Sequence, residues 1–214
     1  MILGLDTATS ATTAAVYAPG GPEVERRDDP EPGARPAHAG RLLRLVEDVL
    51  GEAGASWDDV ERIAVGIGPG GFTGLRIGIA TARGLAQTRG LPLVGVSTLE
   101  ALASAARAES GREVVAVIDA RRGEVFTSLA DAPLAPEELA ARIPPGALAV
   151  GDGAVRFRDE LEQAGALVPV DGSGLHRVSA LQVCRLGATA DPADRDALLP
   201  DYRREPDAKP PRLP

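Results

Sequence analysis

Cysteine, histidine and aromatic residues are scarce in this chain of 214 residues. The single cysteine, Cys184, excludes an internal disulfide, and we expect it in the core. Aromatic residues make up 3% of the chain, so few rings can stack on nucleic-acid bases. The net charge of −8 also argues against unaided binding to a phosphate backbone. The two histidines, His38 and His176, are too far apart in sequence to indicate a zinc site, and we expect no metal.

Long apolar runs are absent as well, and none approaches the about 20 residues of a membrane span. The first residues, MILGLDTATS, contain no basic segment followed by a long apolar stretch. We therefore expect a cytoplasmic protein without membrane contact. The hydrophobic content of 44% is sufficient for a core, and the length suits one large domain or two small lobes.

Hydrophobic periodicity predicts three short strands followed by alternating helices and strands. Strands are expected at residues 2–6, 12–18, 23–27, 62–67, 93–96, 114–119, 124–130, 147–150 and 167–170. Helices are expected at residues 42–53, 72–89, 98–108, 136–143, 154–164 and 178–190. This order predicts an α/β fold with mixed sheets flanked by helices.

An apolar strand that ends in aspartate occurs twice, at Asp6 and at Asp119. Each is followed by a turn and a second strand, which suggests two related lobes. We predict an N-terminal lobe at 1–110 that carries the interaction helix, a smaller C-terminal lobe at 111–198, and a Pro/Arg-rich tail at 199–214.

The helix predicted over residues 72–89 keeps one side almost free of side-chain bulk. Small residues recur every four positions at Gly74, Gly78, Ala82 and Ala86, which places them on one face. Since each interior glycine costs about 1 kcal/mol relative to alanine, this face must make a close contact. The contact is either with the chain's own domain or with a second subunit. The predicted partner interface comprises Phe72, Thr73, Gly74, Leu75, Arg76, Gly78, Ile79, Ala82, Arg83 and Ala86.

Two nucleotide-binding motifs fail in the same stretch. Residues 66–71 fit G-x-G-x-x-G, but no acidic residue follows between Glu61 and Glu100 to bind a ribose. A P-loop needs Gly-Lys, and the only lysine is Lys209. Neither motif supports a nucleotide site by itself.

Four segments resemble the TsaB family, also called YeaZ, of the actin, sugar kinase and chaperone ATPase superfamily. They read ILGLDTATSATTAAVY, GIGPGGFTGLRIGIATARGLA, GVSTLEALA and VIDARRGEVF. The resemblance covers about the first 130 residues with high specificity and the rest only loosely. It implies an actin-like, ribonuclease H-like (ASKHA) fold with two lobes.

The resemblance also implies a function without catalysis by the chain itself. Such a protein supports the catalytic subunit TsaD in forming N6-threonylcarbamoyladenosine beside the anticodon of tRNA. TsaE and TsaC complete the machinery, and the chain is expected to homodimerise when alone, with tRNA contacted only indirectly. We expect no catalytic residue and no tightly bound cofactor, although ADP or ATP could lie at a subunit interface.

Two departures from the superfamily pattern support this expectation. The resemblance places Thr98 and Leu102 where catalytic relatives carry two metal-binding histidines, and neither residue replaces imidazole as a ligand. Ala8 stands where a glycine usually lets the backbone approach phosphate.

A remnant of the nucleotide cleft remains possible at the two strand ends. Its candidate residues are Asp6, Thr7, Asp119, Arg121, Arg122 and Glu124. The alternatives are a purely structural role for Asp6 and a charged turn with weak ion pairs for the other strand end.

Two other functions compete with the accessory role. An independent ATP-binding or ATP-hydrolysing enzyme of the same fold would explain Asp6 and Asp119. The superfamily branch also carries a peptidase M22 (glycoprotease) label, but no nucleophile with a neighbouring base is evident, so a peptidase is disfavoured.

Overall fold

The described part of the chain contains two β-sheets, of which the first, with five strands, is the larger. A computed structural model describes residues 1–31, 33–194 and 197–204. The strands of this sheet are β1 (Ile2–Asp6), β2 (Thr12–Tyr17), β3 (Glu23–Asp28), β4 (Arg62–Gly68) and β5 (Leu93–Ser97). Their order is β3-β2-β1-β4-β5. The first three strands form the predicted antiparallel meander, while β4 pairs in parallel with both β1 and β5.

The second sheet has three strands, β6 (Val114–Arg121), β7 (Glu124–Thr127) and β8 (Leu148–Val150), in the order β7-β6-β8. β6 and β7 form an antiparallel hairpin, and β8 runs parallel to β6. The helices in the described part of the chain are α1 (His38–Glu52), α2 (Phe72–Arg89), α3 (Thr98–Ser110), α4 (Pro136–Ala140), α5 (Asp152–Arg156), α6 (Arg158–Gln163) and α7 (Ala180–Thr189). None of these helices is long and apolar enough to cross a membrane.

Side chains of β1 alternate between the two faces of the first sheet, as the strand period requires. Leu3 and Leu5 share a buried cluster with α1 and α2. Ile2 belongs to a second cluster on the opposite face, together with Cys184 of α7. Cys184 is fully buried, as predicted, and burial raises the pKa of its thiol above the usual range.

Helix α3 covers one face of the second sheet. Its side chains Leu99, Leu102 and Ala106 pack on Ala116 and Ile118 of β6. The other face of β6 packs against a separate cluster supplied by α4, α5 and α6. The second sheet is therefore covered by helices on both faces, which confirms the predicted α/β class.

The helix predicted over 154–164 is instead two short helices, α5 and α6. They are separated at Phe157, where φ is −113° and ψ is 35°. This break turns the flanking arginines in different directions: Arg156 pairs with Asp119, and Arg158 with Glu162.

The strand predicted over 167–170 is only a bridge between Leu167 and Leu148. The strand pairing does not continue past Leu167. The Arg158 guanidinium donates hydrogen bonds to the carbonyl oxygens of Val168 and Pro169, and Pro169 has no N–H to donate to a neighbouring strand.

Helix α7 packs on the first sheet, although the sequence places residues 178–190 in the second lobe. Two glycines allow the close contact. A Cβ added at Gly4 would lie 2.5 Å from the Cys184 Sγ, and one at Gly187 would lie 2.5 Å from the Cβ of Ala64. The chain therefore returns to the first sheet after forming the second. The division at 1–110, 111–198 and 199–214 stays a prediction.

The small-residue face of α2 packs inside the protein, on the turn that follows β1. The Thr7 hydroxyl donates a 2.7 Å hydrogen bond to the carbonyl oxygen of Gly74. A Cβ added at Gly74 would lie 2.0 Å from the Thr7 carbonyl oxygen, and one at Gly78 would lie 2.3 Å from the Thr7 hydroxyl. Ala82 and Ala86 are fully buried in the core cluster that also contains Leu3 and Leu5. The interpretation of an internal helix packed on its own domain therefore accounts for these small residues.

Alanine substitutions at two glycines of α2 should change stability in opposite directions. Gly74→Ala places a methyl group against the Thr7 backbone, which we expect to destabilise the fold by about 1–3 kcal/mol through overpacking. Gly84→Ala meets no atom within 4 Å and should stabilise the same helix by about 1 kcal/mol. Urea unfolding of both variants measures the difference. Equal effects would contradict the described packing of α2.

Candidate functional site

Asp6 ends β1 with its side chain buried inside the protein rather than open to a ligand. Its carboxylate accepts hydrogen bonds from the Ala8 backbone N–H at 2.8 Å and from the Thr98 hydroxyl at 2.9 Å. A Cβ added at Gly66 would lie 1.8 Å from the Asp6 Oδ2, so that glycine makes room for the carboxylate. Burial raises the pKa of Asp6 to about 6, although the two hydrogen bonds oppose the increase.

The turn after β1 is covered by the loop that precedes α2. The Gly71 backbone N–H donates to the Ala8 carbonyl oxygen at 2.7 Å. A Cβ added at Gly70 would lie 2.2 Å from that same oxygen. The resemblance implies that this turn approaches phosphate in other members of the superfamily, but here the chain's own glycine loop lies on it.

Thr98 and Leu102, the positions that the resemblance equates with metal-binding histidines, are both buried. The Thr98 hydroxyl donates to Asp6 and accepts from the Gly68 N–H at 3.1 Å, which joins α3 to β1 and β4. Leu102 belongs to the core beneath the second sheet. In the described ranges, no three His, Cys, Asp or Glu side chains are grouped so as to hold a metal ion.

Asp119, the second strand-end carboxylate, is engaged by two arginines. Its Oδ2 lies 2.8 Å from Arg156 and 3.3 Å from Arg121, and its Oδ1 accepts the Arg121 backbone N–H at 2.8 Å. The side chain is only 7% exposed. Its charge is therefore balanced within the protein.

The hairpin after Asp119 holds two arginines in the left-handed region, with φ of 65° at Arg121 and 59° at Arg122. Such conformations cost non-glycine residues roughly 1–3 kcal/mol each. The register shift between β6 and β7 and the hydrogen bond to Asp119 maintain them. The turn displays Arg121, whose side chain is 70% exposed, at the edge of a cleft.

Asp152 is a member of this site that the sequence analysis missed. It follows β8, which runs parallel to β6, so both strand ends meet at one edge of the second sheet. The Asp152 Oδ1 accepts the Asp119 backbone N–H at 3.0 Å. Burial raises the pKa of Asp152, and the negative charge of Asp119 adds to the increase. The signal in the sequence was a third aspartate close to the end of an apolar strand, separated from it by Gly151.

A cleft of about 830 Å³ lies between the two sheets. It is lined by the turn 8–10, the start of α2, the β6–β7 hairpin and residues 201–204. Among the predicted cleft residues, Asp119, Arg121 and Arg122 line it, whereas Asp6 and Thr7 are not among its lining residues. Glu124 instead pairs with Arg204. The structure therefore brings Asp119, Arg121 and Arg122 together at the cleft. It places Asp6 and Thr7, the predicted cleft residues at the end of β1, away from them.

The ten predicted interface residues divide into a buried and an accessible group. The buried group comprises Gly74, Leu75, Gly78, Ile79, Ala82 and Ala86. Phe72, Thr73 and Arg76 are exposed, and Arg83 is half-buried with its guanidinium on the Leu198 carbonyl oxygen. A protein that binds α2 would thus contact the face opposite its small-residue face.

In the predicted tail, Arg203 and Arg204 contact the second lobe. Arg203 donates to the carbonyl oxygens of Thr127 and Ala130, and Arg204 donates to that of Ala120. These contacts place the start of the tail against the β6–β7 hairpin.

The fold and the cleft identify the general class of the protein. ROK hexokinase from Thermus thermophilus superposes with a TM-score of 0.51 at 14% identity, covering 87% of this chain and 98% of the hexokinase. At that identity the likeness shows the fold alone. The protein is a two-lobed α/β protein of the actin-like (ASKHA) class, as predicted.

A closer similarity identifies the family. YeaZ from Pseudomonas aeruginosa superposes with a TM-score of 0.78 at 31% identity, covering 94% of this chain and 98% of YeaZ. The chain belongs to the TsaB (YeaZ) family, which confirms the resemblance of its motifs.

Sequence comparisons agree with this assignment. The Escherichia coli protein described as tRNA threonylcarbamoyladenosine biosynthesis protein TsaB is 43% identical over 126 residues, which are 58% of this chain and 52% of the relative. The match spans about half the length of the curated TsaB relatives. An uncharacterised protein of Mycobacterium tuberculosis is 34% identical over 98% of this chain and 94% of its own length. A family model described as TsaD, tRNA N6-adenosine threonylcarbamoyltransferase, matches residues 30–134.

The buried Asp6 should give stability a distinct pH dependence. Because its pKa is raised from 3.8 to about 6, the folded state binds the proton more tightly. The resulting stabilisation is fully present below about pH 3.8 and is lost as the pH rises through about 6, with a size of roughly 3 kcal/mol. Asp6→Asn should remove it. The free energy of unfolding of the wild type minus that of Asp6→Asn should therefore increase as the pH is lowered from about 7 to about 4.

The difference between the two proteins is the informative quantity, because burial lowers the pKa of His38 and adds its own dependence in this range. Chemical unfolding at each pH supplies the free energies, and Asp131→Asn, at an exposed position, is the matched control. A flat difference curve for Asp6→Asn would contradict the described environment of Asp6.

Proposed function

We propose that the chain is a non-catalytic scaffold that supports TsaD in forming N6-threonylcarbamoyladenosine at the adenosine beside the anticodon of tRNA. It acts in the cytoplasm as a heterodimer with TsaD and as a homodimer when alone. TsaE and TsaC contribute to the same pathway, and tRNA is contacted only indirectly. The names of the curated relatives and the TsaD family match support this proposal.

The observation that carries the accessory role is the engagement of both strand-end carboxylates by the protein itself. Asp6 is buried under the Thr98 hydroxyl, and Asp119 is paired with Arg121 and Arg156. A carboxylate that binds Mg²⁺ must direct free oxygen lone pairs at the ion. The principal lone pairs here accept hydrogen bonds within the fold, which favours a structural role for both residues.

The proposed TsaD interface lies on the exposed face of α2. Thr73, Arg76, Ala80 and Gly84 recur at spacings of three and four residues and are all exposed. A Cβ added at Gly84 would meet no atom within 4 Å apart from the adjacent backbone of α2. A partner helix could therefore approach α2 closely at Ala80 and Gly84, while Arg76 would contact it through its longer side chain. The proposed site for ADP or ATP is at the boundary of the two subunits.

The direct test is tRNA threonylcarbamoylation by purified TsaC, TsaD and TsaE with and without this chain. We expect modification to require the chain, and light scattering of its mixture with TsaD to report a heterodimer. Full modification without the chain, together with no association, would overturn the proposal.

A charged side chain on the exposed face of α2 should weaken the heterodimer. Ala80→Arg introduces a long cation where the proposed partner helix packs, and we expect at least about tenfold weaker TsaD binding by titration calorimetry. Ala132→Arg, at an exposed position between β7 and α4, is the matched control and should bind as the wild type does. Unchanged affinity of the Ala80→Arg variant would place the interface elsewhere.

A further inference from the structure

Residues 199–204, which we call the strap, leave the first sheet and cross the mouth of the cleft. They follow Leu198, which is buried in the core of that sheet. The Asp201 backbone N–H then donates to the Ile67 carbonyl oxygen at 2.7 Å, at the end of β4. The strap is thus anchored on the first lobe before it reaches the cleft.

Tyr202 of the strap lies on the first turn of α2. Its ring centroid is 5.1 Å from that of Phe72, with 30° between the planes. Its hydroxyl oxygen accepts a 2.9 Å hydrogen bond from the Arg76 Nε, and the Arg76 guanidinium lies 3.8 Å from the Phe72 ring centroid. The three side chains therefore form one continuous cluster.

This cluster is unusual because the chain has only three Phe, two Tyr and one Trp. Two of these rings stand side by side, with Phe72 45% exposed and Tyr202 43% exposed. Exposed aromatic residues beside an arginine are the residue types that supply most binding energy at protein interfaces. The strap leaves Phe72 accessible, and the Tyr202 ring adds to the exposed aromatic surface beside it.

The next two strap residues hold the second lobe. Arg203 donates to the carbonyl oxygens of Thr127 at 2.9 Å and Ala130 at 2.7 Å. Arg204 donates to the carbonyl oxygen of Ala120 at 2.7 Å and pairs with Glu124. These acceptors lie on or beside the β6–β7 hairpin, whose turn lines the cleft. Within three residues, the chain joins α2 to the hairpin.

We propose that the strap couples the β6–β7 hairpin to the TsaD-binding end of α2. The hairpin fixes Arg203 and Arg204, and these in turn hold Tyr202 on Phe72 and Arg76. Since a preorganised surface loses less conformational freedom on binding, the fixed cluster binds its partner more tightly than a mobile one. This inference rests on the proposed function, in which α2 is the interface helix.

The proposal predicts that contacts on the hairpin control the start of α2. In the isolated chain, the double variant Arg203→Ala, Arg204→Ala should accelerate amide exchange in a peptide covering residues 69–76. Its affinity for TsaD should fall about tenfold, as when an interface anchor is truncated. Arg185→Ala is the matched control, because Arg185 forms an exposed pair with Glu23 away from the strap.

A thermodynamic cycle distinguishes coupling from two separate losses. Tyr202→Ala alone should weaken TsaD binding to a similar extent, and adding it to the double arginine variant should cause little further loss. Fully additive losses, or tighter binding after release of the strap, would overturn the proposal.

Hydrogen exchange separates this proposal from the proposed function. Faster exchange at residues 69–76 in the arginine variant supports the coupling even if the wild-type chain fails to bind TsaD, a failure that would contradict the proposed function alone. Unchanged exchange in that peptide would overturn the coupling whatever the affinity for TsaD.

Discussion

Helix α2 approaches the turn after β1 so closely that no side chain fits between them. Any Cβ at Gly74 would overlap the Thr7 carbonyl oxygen, and Gly70 lies equally close to Ala8. This contact fixes the start of α2 above β1 and packs the glycine loop before α2 against the Ala8 backbone. The position of α2, whose first residues line the cleft, depends on it.

The two strand-end aspartates occupy different environments. Asp6 is buried and bonded to Thr98, so a group that could bind a metal instead joins β1, β4 and α3. Asp119 stays at the cleft, but Arg121 and Arg156 balance its charge. Both arrangements are compatible with the actin-like fold. They favour a role in binding another protein over a role in catalysis. The exposed face of α2 and the strap beside it provide such a surface.

The local patterns in the sequence predicted most of the fold, including the meander and α2, because apolar periodicity and strand-end aspartates are features of neighbouring residues. The segment that packs on the small-residue face of α2 could not be predicted from local patterns, since Thr7 lies 67 residues from Gly74. The same limit applies to Tyr202, which is 126 residues from Arg76, and to the return of α7 to the first sheet. Phe157 gave no signal of the helix break, because no Gly or Pro stands there and the contacts of its neighbours are made with residues distant in sequence, such as Asp119.

The proposed accessory function requires that the engaged carboxylates leave this protein without ATPase chemistry of its own. The most direct measurement is phosphate release from ATP and Mg²⁺ by the purified chain, compared with its Asp6→Asn and Asp119→Asn variants. The account predicts no release above the rate without protein, and no difference among the three proteins. Sustained turnover by the wild-type chain that either variant abolishes would contradict it.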